Sequence, residues 1–334
     1  MKPLSDRALE KLRDISEEPN LAGTHYKLVE RVARGGMGVV YAAHDERLQR
    51  RVALKVLDAT GTDADLAQRL MKEARVLARL EHPGIVPVHD VGTLDDGRVF
   101  YAMKFVEGRR LDEHIEEVVS VPDRLRLFLR ICEAVAFAHA RGVLHRDLKP
   151  ANVMVGSFGE VLVMDWGLAK VLADSESDNK RDSVQEASFH RRQVEADESV
   201  QTEHGTVMGT PGYMSPEQAR GDVGRLDVRS DVYSLGVLLR FLVGAGAQDN
   251  RQKTDQALEA ICAKAAAEKP EDRYASVAEL GMDVSRFLDG LAVSARPETA
   301  LDHVARFYRK YRFFILLMVA YLVMRIALIL FFRK

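Results

Sequence analysis

Cysteine is nearly missing from this chain, with Cys132 and Cys262 the only two in 334 residues. Each stands alone inside an apolar helical run, with no CxxC pair and no histidine-rich partner set. That excludes a zinc cluster or a disulfide framework and points to buried thiols in a reducing compartment. A charge bias is missing as well. The 48 basic and 50 acidic side chains nearly cancel, so nothing global favours nucleic acid or an acidic partner, and no nucleic-acid contact is expected. The amino terminus, Met-Lys-Pro-Leu-Ser-Asp-Arg, lacks the apolar core of a secretory signal, so the residues that follow it are expected to stay in the cytoplasm.

Long apolar runs are also missing until Phe313. From there to Phe332 the only charge is Arg325, and the run has the length of about 20 residues that a bilayer-crossing helix needs. A core helix of a soluble protein is rarely apolar on every side. Arg306, Arg309, Lys310 and Arg312 precede the run and Arg333 and Lys334 follow it. The positive-inside bias therefore predicts a single-pass helix in the cell (inner) membrane, with the preceding residues cytoplasmic. Arg325 costs about 2.5 to 3.5 kcal/mol on insertion scales, which the apolar neighbours offset, helped by snorkelling or by pairing with another helix.

The chemistry is concentrated in one stretch. Val143-Leu-His-Arg-Asp-Leu-Lys-Pro-Ala-Asn152, followed by Asp165-Trp-Gly167, sets two carboxylates, an amide and an amine at a spacing suited to moving a phosphoryl group from ATP. That reaction needs a carboxylate to orient the attacking hydroxyl and oxygen ligands that hold a metal ion against the phosphates. Asp147 suits the first task, with Lys149 two residues on. Asn152 and Asp165 suit the second, as ligands of Mg²⁺ or of Mn²⁺ in its place. A polar turn between buried strands would account for single Asp and Asn residues but not for this order.

Other parts flank the stretch in sequence. Lys55 in Val52-Ala-Leu-Lys55 is a candidate phosphate ligand, and an ammonium in that role must be oriented by an anion. Glu73 supplies one, on a helical run from about Asp65 to Leu80 with Leu66, Leu70, Ala74, Leu77 and Leu80 on one face. Ahead of the lysine lies Val32-Ala33-Arg34-Gly35-Gly36-Met37-Gly38-Val39-Val40, whose glycines let backbone N–H groups close on phosphates. Beyond the stretch come Gly209-Thr-Pro-Gly-Tyr-Met-Ser-Pro-Glu217, Ser230-Asp231-Val-Tyr-Ser-Leu-Gly236 and Lys269-Pro-Glu-Asp-Arg273-Tyr.

Over about residues 26 to 291 these motifs resemble the bacterial Hanks-type (eukaryotic-like) serine/threonine protein kinases. The resemblance implies an α+β, two-lobed kinase fold. It places the lysine of the third strand at Lys55 on the α- and β-phosphates, with Glu73 as its ion-pair partner. It implies an ATP site of Val32, Ala33, Gly35, Gly36, Gly38, Val40, Ala53, Lys55, Glu73, Met103, Phe105 and Val106, with Met103 as gatekeeper. By periodicity alone Met103 is a core methionine. Glu217 with Arg273 would be a structural ion pair, and Asp231 would lie on a buried helix supporting the catalytic loop. The segments Gly209 to Glu217 and Ser230 to Gly236 make proteins the expected substrates, and Lys149 with Thr210 follow the serine/threonine class. The chain departs from the pattern at Ala33, where the first glycine is usual, and in a shortened stretch after Gly246 that lacks the family's docking helix.

The expected organisation is a polar lead over 1–25, a kinase domain over 26–291, a basic juxtamembrane segment over 292–312 and the membrane helix over 313–332. Within the domain, 26–103 would be a small, mainly β lobe with one helix, 104–107 a hinge, and 108–291 a helical large lobe. Its clearest helices are Leu125 to Ala140 and Asp231 to Val243. Residues 174–204, rich in Ser, Glu, Asp, Arg and Gln, read as a mobile activation-segment insert. Phosphate on Ser199, Thr202 or Thr206 would have Arg146 to pair with, which predicts autophosphorylation, in trans if the chain dimerises. The competing reading is a kinase-like scaffold of weak catalysis that binds nucleotide or partners.

Overall fold

The computed structural model describes residues 18–35, 38–57, 64–118, 120–166, 170–171, 210–221, 226–244, 255–296, 311, 313–322 and 324–325. The small lobe is a five-stranded antiparallel sheet built from β1 (Tyr26–Gly35), β2 (Gly38–Asp45), β3 (Arg50–Val56), β4 (Val88–Thr93) and β5 (Val99–Lys104), in the order β1-β2-β3-β5-β4. Between β3 and β4 runs α1 (Ala64–Ala78). Leu70, Ala74 and Leu77 recur on its buried face, as the helical period of the sequence requires.

Alternation along the strands divides the sheet into two faces. Val39, Tyr41, Ala43, Val52, Leu54, Val56, Phe100 and Ala102 form one apolar cluster. Ala53, Tyr101 and Met103 face the opposite way, into the larger core that includes Leu70, Ala74 and Leu77 of α1. Phe100 therefore turns to the opposite face from Met103, although the two share a short apolar strand. The lead also ends earlier than expected: Leu21 is buried with Tyr26 and Leu94, and the carbonyl of Glu18 accepts from Arg98 Nη2 at 3.2 Å. An apolar side chain next to an open cluster lowers the free energy by joining it, whatever the polarity of its neighbours.

The large lobe continues through β6 (Gly108–Arg110), α2 (Leu111–His114), α3 (Val121–Ala140), β7 (Val143–Leu144), β8 (Val153–Gly156), β9 (Val161–Val163) and β10 (Lys170–Val171). It closes with α4 (Pro216–Ala219), α5 (Val228–Gly244), α6 (Gln256–Ala265) and α7 (Val277–Leu288). The two clearest helices of the sequence are thus present, each starting three or four residues earlier than its apolar face suggested. Lys104 belongs to β5, so the connection between the lobes is residues 105–107. Two small sheets, β6-β8-β9 and β7-β10, sit in what the sequence suggested was a helical lobe. Their strands are two to four residues long, too short for a period of two to stand out.

α3 and α5 form the centre of this lobe, with Leu125, Phe128, Ile131 and Val135 buried on the first and Leu235, Leu238, Leu239 and Leu242 on the second. Gly236 allows α5 to approach α6 closely: a Cβ there would lie 2.7 Å from the Cβ of Ala265. Packed structure continues past residue 291, because Asp283 accepts from Ser294 N at 2.8 Å and Ala295 N at 3.0 Å and Val293 is buried. Among the described residues no helix is long and apolar enough to cross a membrane. Residues 313–322 and 324–325 are helical, and residues 323 and 326–332 of the expected span lie outside the described residues.

Candidate active site

Strand register places the lysine. β3 and β5 pair antiparallel with Lys55 directly opposite Tyr101 and Ala53 opposite Met103, so these four side chains share one face of the sheet, the face that α1 covers. From α1, Glu73 meets them with a side chain that is 0% exposed. Lys55 Nζ donates to Glu73 Oε1 at 2.8 Å, to Glu73 Oε2 at 3.0 Å and to Asp165 Oδ1 at 3.2 Å. Burial works against the Lys55 ammonium, but the carboxylates of Asp165 and Glu73 outweigh it and hold its pKa well above the ordinary lysine value. For Glu73 burial dominates and pushes the carboxyl up, against the opposing pull of Lys55.

The loop after β7 brings the second group of residues together. A 3₁₀ turn over Pro150–Asn152 folds Asn152 back so that its Nδ2 donates to Asp147 O at 2.8 Å and to Asp147 Oδ2 at 2.9 Å. Lys149 Nζ stands 3.3 Å from the same Oδ2. Asp147 is thus a buried carboxylate with an amide and an ammonium on one oxygen, a geometry that fixes its orientation. The Asn152 amide nitrogen is taken up by these bonds, which leaves its carbonyl oxygen as the atom suited to a cation. Asp165 is held ionised: Lys55 lowers its pKa and burial only partly opposes this.

Two residues of the site have backbone torsions that favour glycine, Arg146 at φ 71° and Asp165 at φ 55°. Such conformations cost on the order of 1–3 kcal/mol and persist only where the surroundings hold them. Asp231 of α5 holds the first, accepting from His145 N at 2.9 Å, Arg146 N at 2.8 Å and His139 Nε2 at 2.7 Å. Burial raises its pKa, but the bond from His139 and the other donors outweigh this and leave the carboxyl below its usual range. Gln218 Nε2 donates to the carbonyl of Arg146 at 2.7 Å. His145 Nε2 donates to the carbonyl of Met164 at 2.9 Å, so Nδ1 is the nitrogen that accepts from Asp147 N at 3.2 Å. Trp166, 1% exposed, lies against the His145 ring with centroids 4.5 Å apart.

Of the remaining residues singled out in the sequence, Val40 and Ala53 share the Lys55 face, and Met103 is buried beside them. Ala33 lies opposite Val40 in β1, and Val32 sits at a β-bulge between Arg31 and Ala33, 52% exposed. Gly35 pairs with Gly38, where a Cβ would meet the carbonyl oxygen of Val56 at 2.3 Å. Phe105 lies under the Arg51 guanidinium, 4.2 Å from ring centroid to Cζ, and Val106 is buried. Thr210 opens a 3₁₀ turn ending at Tyr213, and Glu217 and Arg273 form a buried fork-to-fork pair. Arg146 is buried. Gly36, the 174–204 stretch, Ser199, Thr202, Thr206 and residues 245–254 lie outside the described residues.

Three positions that do not emerge from the motifs belong to this arrangement: Tyr101, His139 and Gln218. Their signal is tertiary, since each touches a motif residue 28, 92 and 72 positions away respectively. The donor set fits a nucleotide with its divalent cation. No group of three or more His, Cys, Asp or Glu suited to a metal occurs among the described residues. A magnesium ion, however, usually takes only one or two protein oxygens and the rest from phosphates and water. Asn152 and Asp165 would supply that number, and Lys55 would supply an ammonium for the phosphates.

The sequence profile described as protein kinase domain matches residues 26–296. The serine/threonine-protein kinase PknD of Chlamydia trachomatis serovar D is 35% identical over 301 residues, covering 79% of this chain and 32% of the relative. A probable serine/threonine-protein kinase of Streptomyces coelicolor is 36% identical over 84% of this chain and 42% of its own. The chain thus spans about a third to two fifths of the length of the curated relatives it matches. In structure, the PknI kinase domain of Mycobacterium tuberculosis is similar at a TM-score of 0.54 with 27% identity, covering 78% of this chain and 95% of that one.

Proposed function

From the premise that this chain belongs to the protein kinase domain family, we propose that it transfers the γ-phosphoryl group of ATP, with Mg²⁺, to serine or threonine hydroxyls of proteins. The observation that carries this reading is the Lys55 ammonium bridging Glu73 and Asp165 while Lys149 and Asn152 orient Asp147. When bound, the nucleotide supplies the phosphoryl group and the cation offsets the charge on its oxygens. Lys55 binds and orients the phosphates, and Glu73 orients Lys55. Asn152 and Asp165 hold the cation. Asp147 accepts the proton of the attacking hydroxyl, and Lys149 fixes the carboxylate that receives it. The relatives from Chlamydia trachomatis and Streptomyces coelicolor are named as serine/threonine-protein kinases, which favours that class.

Incubation of the purified chain with labelled ATP, Mg²⁺ and a mixed protein acceptor tests the reading. Phosphoserine or phosphothreonine is the expected product, and self-modification in the segment that holds Ser199, Thr202 and Thr206 is part of the proposal. Tight nucleotide binding with no transfer would overturn it in favour of the scaffold reading, which Ala33 favours.

The membrane attachment belongs to the same proposal. Phe313, Phe314, Leu316, Leu317, Met318 and Leu322 expose 77, 74, 60, 62, 65 and 56% of their surface, more contiguous apolar area than a soluble chain leaves in water. The full chain is expected to stay with membranes through high-salt and alkaline washes, because screening removes electrostatic attachment and leaves apolar burial intact. A chain truncated near Arg306 is expected to be soluble and active. Release of the full chain into the wash, with insolubility of the truncated one, would show instead that this helix packs on the domain.

A further inference from the structure

Glu73 has, besides Lys55, a second partner that the phosphotransfer reading does not use. Tyr101 OH donates to Glu73 Oε1 at 2.8 Å, and its ring lies 5.8 Å from the Lys55 ammonium. Tyr101 is 2% exposed and the Glu73 side chain 0%, so no water competes for this bond. Its position follows from register: Tyr101 is the direct cross-strand partner of Lys55, and such pairs hold their side chains together on one face.

We propose that Tyr101 is a positioning residue for the Lys55–Glu73 pair, its hydroxyl holding the Glu73 carboxylate while Lys55 divides its ammonium between that carboxylate, Asp165 and the phosphates of the nucleotide. An ammonium has three donors. In this structure two are directed at Glu73 and one at Asp165. When phosphate oxygens take a share, Glu73 must give up part of its cationic partner inside a buried site, where an unmatched carboxylate is costly. The phenol donor is fixed by the strand and does not move with the lysine. It keeps one carboxylate oxygen satisfied and so keeps α1 turned toward β3 throughout the exchange.

The inference rests on the phosphotransfer reading, and the test separates the two. Tyr101→Phe removes the hydroxyl and leaves the ring. It is expected to lower kcat/KM for ATP about tenfold, the effect of one hydrogen bond to a charged group, and to weaken ATP binding in the same direction. The acidic limb of the pH profile should move to higher pH, because Glu73 loses a donor that favours its ionised form. The charged or titratable groups that face it are Lys55, Asp165 and Tyr101 itself. In a Glu73→Gln background the same change should add little, since a residue acting through Glu73 has nothing left to position.

A Tyr101→Phe protein with unaltered ATP binding, kcat/KM and pH profile would overturn the proposal. Equal losses in both backgrounds would do the same. So would a variant that no longer folds at the assay temperature, which would give the hydroxyl a structural role. Absence of transfer by the unmodified chain would instead remove the phosphotransfer reading, and ATP affinity of the two proteins then decides the role of Tyr101.

Discussion

Asp147→Asn is expected to lower phosphate transfer by a factor of about 10² to 10⁴, the usual contribution of a positioned general base, while ATP binds as before. The substitution keeps the shape of the side chain and an acceptor oxygen for Asn152 Nδ2, which lies 2.9 Å from Oδ2. It removes the charge that accepts the proton and that Lys149 faces at 3.3 Å. Lys55, Glu73 and Asp165 do not depend on Asp147 for a hydrogen bond, so the groups that face the phosphates are left alone, and Asn152 keeps its bond to the Asp147 carbonyl at 2.8 Å. Initial rates with labelled ATP, set beside calorimetric ATP affinity, give the comparison. Near-normal self-phosphorylation by the variant, in a preparation free of other kinases, would remove Asp147 from its role. Lys55→Met should show the opposite balance, with poor nucleotide positioning as the first effect.

The second large effect is structural. Arg273 donates from Nη1 to Glu217 Oε1 at 2.7 Å and from Nη2 to Oε2 at 2.9 Å, with side chains 0 and 3% exposed. The guanidinium also reaches the carbonyls of Ala267, Arg229 and Glu268, and Ser230 donates to Glu217 at 2.9 Å. Glu217→Ala leaves this cation buried without its anion and is expected to cost roughly 3–5 kcal/mol, the range for breaking a buried pair. That is a large part of the roughly 5–15 kcal/mol that holds a domain folded. Urea or thermal unfolding measures it. A Glu217→Ala, Arg273→Met double variant should lose less than the two single losses added together, since no lone charge remains. Strict additivity would count against the pair.

The same carboxylate predicts an acid response. Burial pushes the Glu217 pKa up, but the hydrogen bonds from Arg273, backbone and Ser230 outweigh it and bring it from 4.5 down to about 2. A folded-state pKa below the unfolded one means that the protein is stabilised above about pH 4.5 and loses that stability as pH falls toward 2. Glu217→Gln should flatten the part of the unfolding free energy that varies with pH across this window. An unchanged slope would assign the acid sensitivity to other carboxylates.

Some of the site was legible because its residues are close in sequence. His145 to Asn152 fold on themselves through a short turn, and their spacing marks Asp147, Lys149 and Asn152 as candidates for one site. The face of α1 that carries Leu70, Ala74 and Leu77 was equally open to reading, because a period of 3.6 is a property of consecutive residues. The three-stranded sheet of β6, β8 and β9 was not, since its strands are too short to show a period. Nor was the burial of Leu21, which depends on a cluster assembled from β1, β2, β3 and β5 and from Leu94.

The sequence by itself therefore determined which functional groups are present, in what local order, and which side of each longer helix seeks the core. These follow from covalent spacing and from apolar periodicity, both properties of neighbouring residues. Tertiary structure decided which distant groups share an environment. It brought Lys55 to Asp165 across 110 residues, His139 to Asp231 across 92 and Arg273 to Glu217 across 56. It also made Tyr101 a partner of Glu73 instead of one more apolar strand residue. Strand register and burial made that choice: a hydroxyl and a carboxylate shut away from water must find each other, and only the folded chain sets which pairs are shut away together.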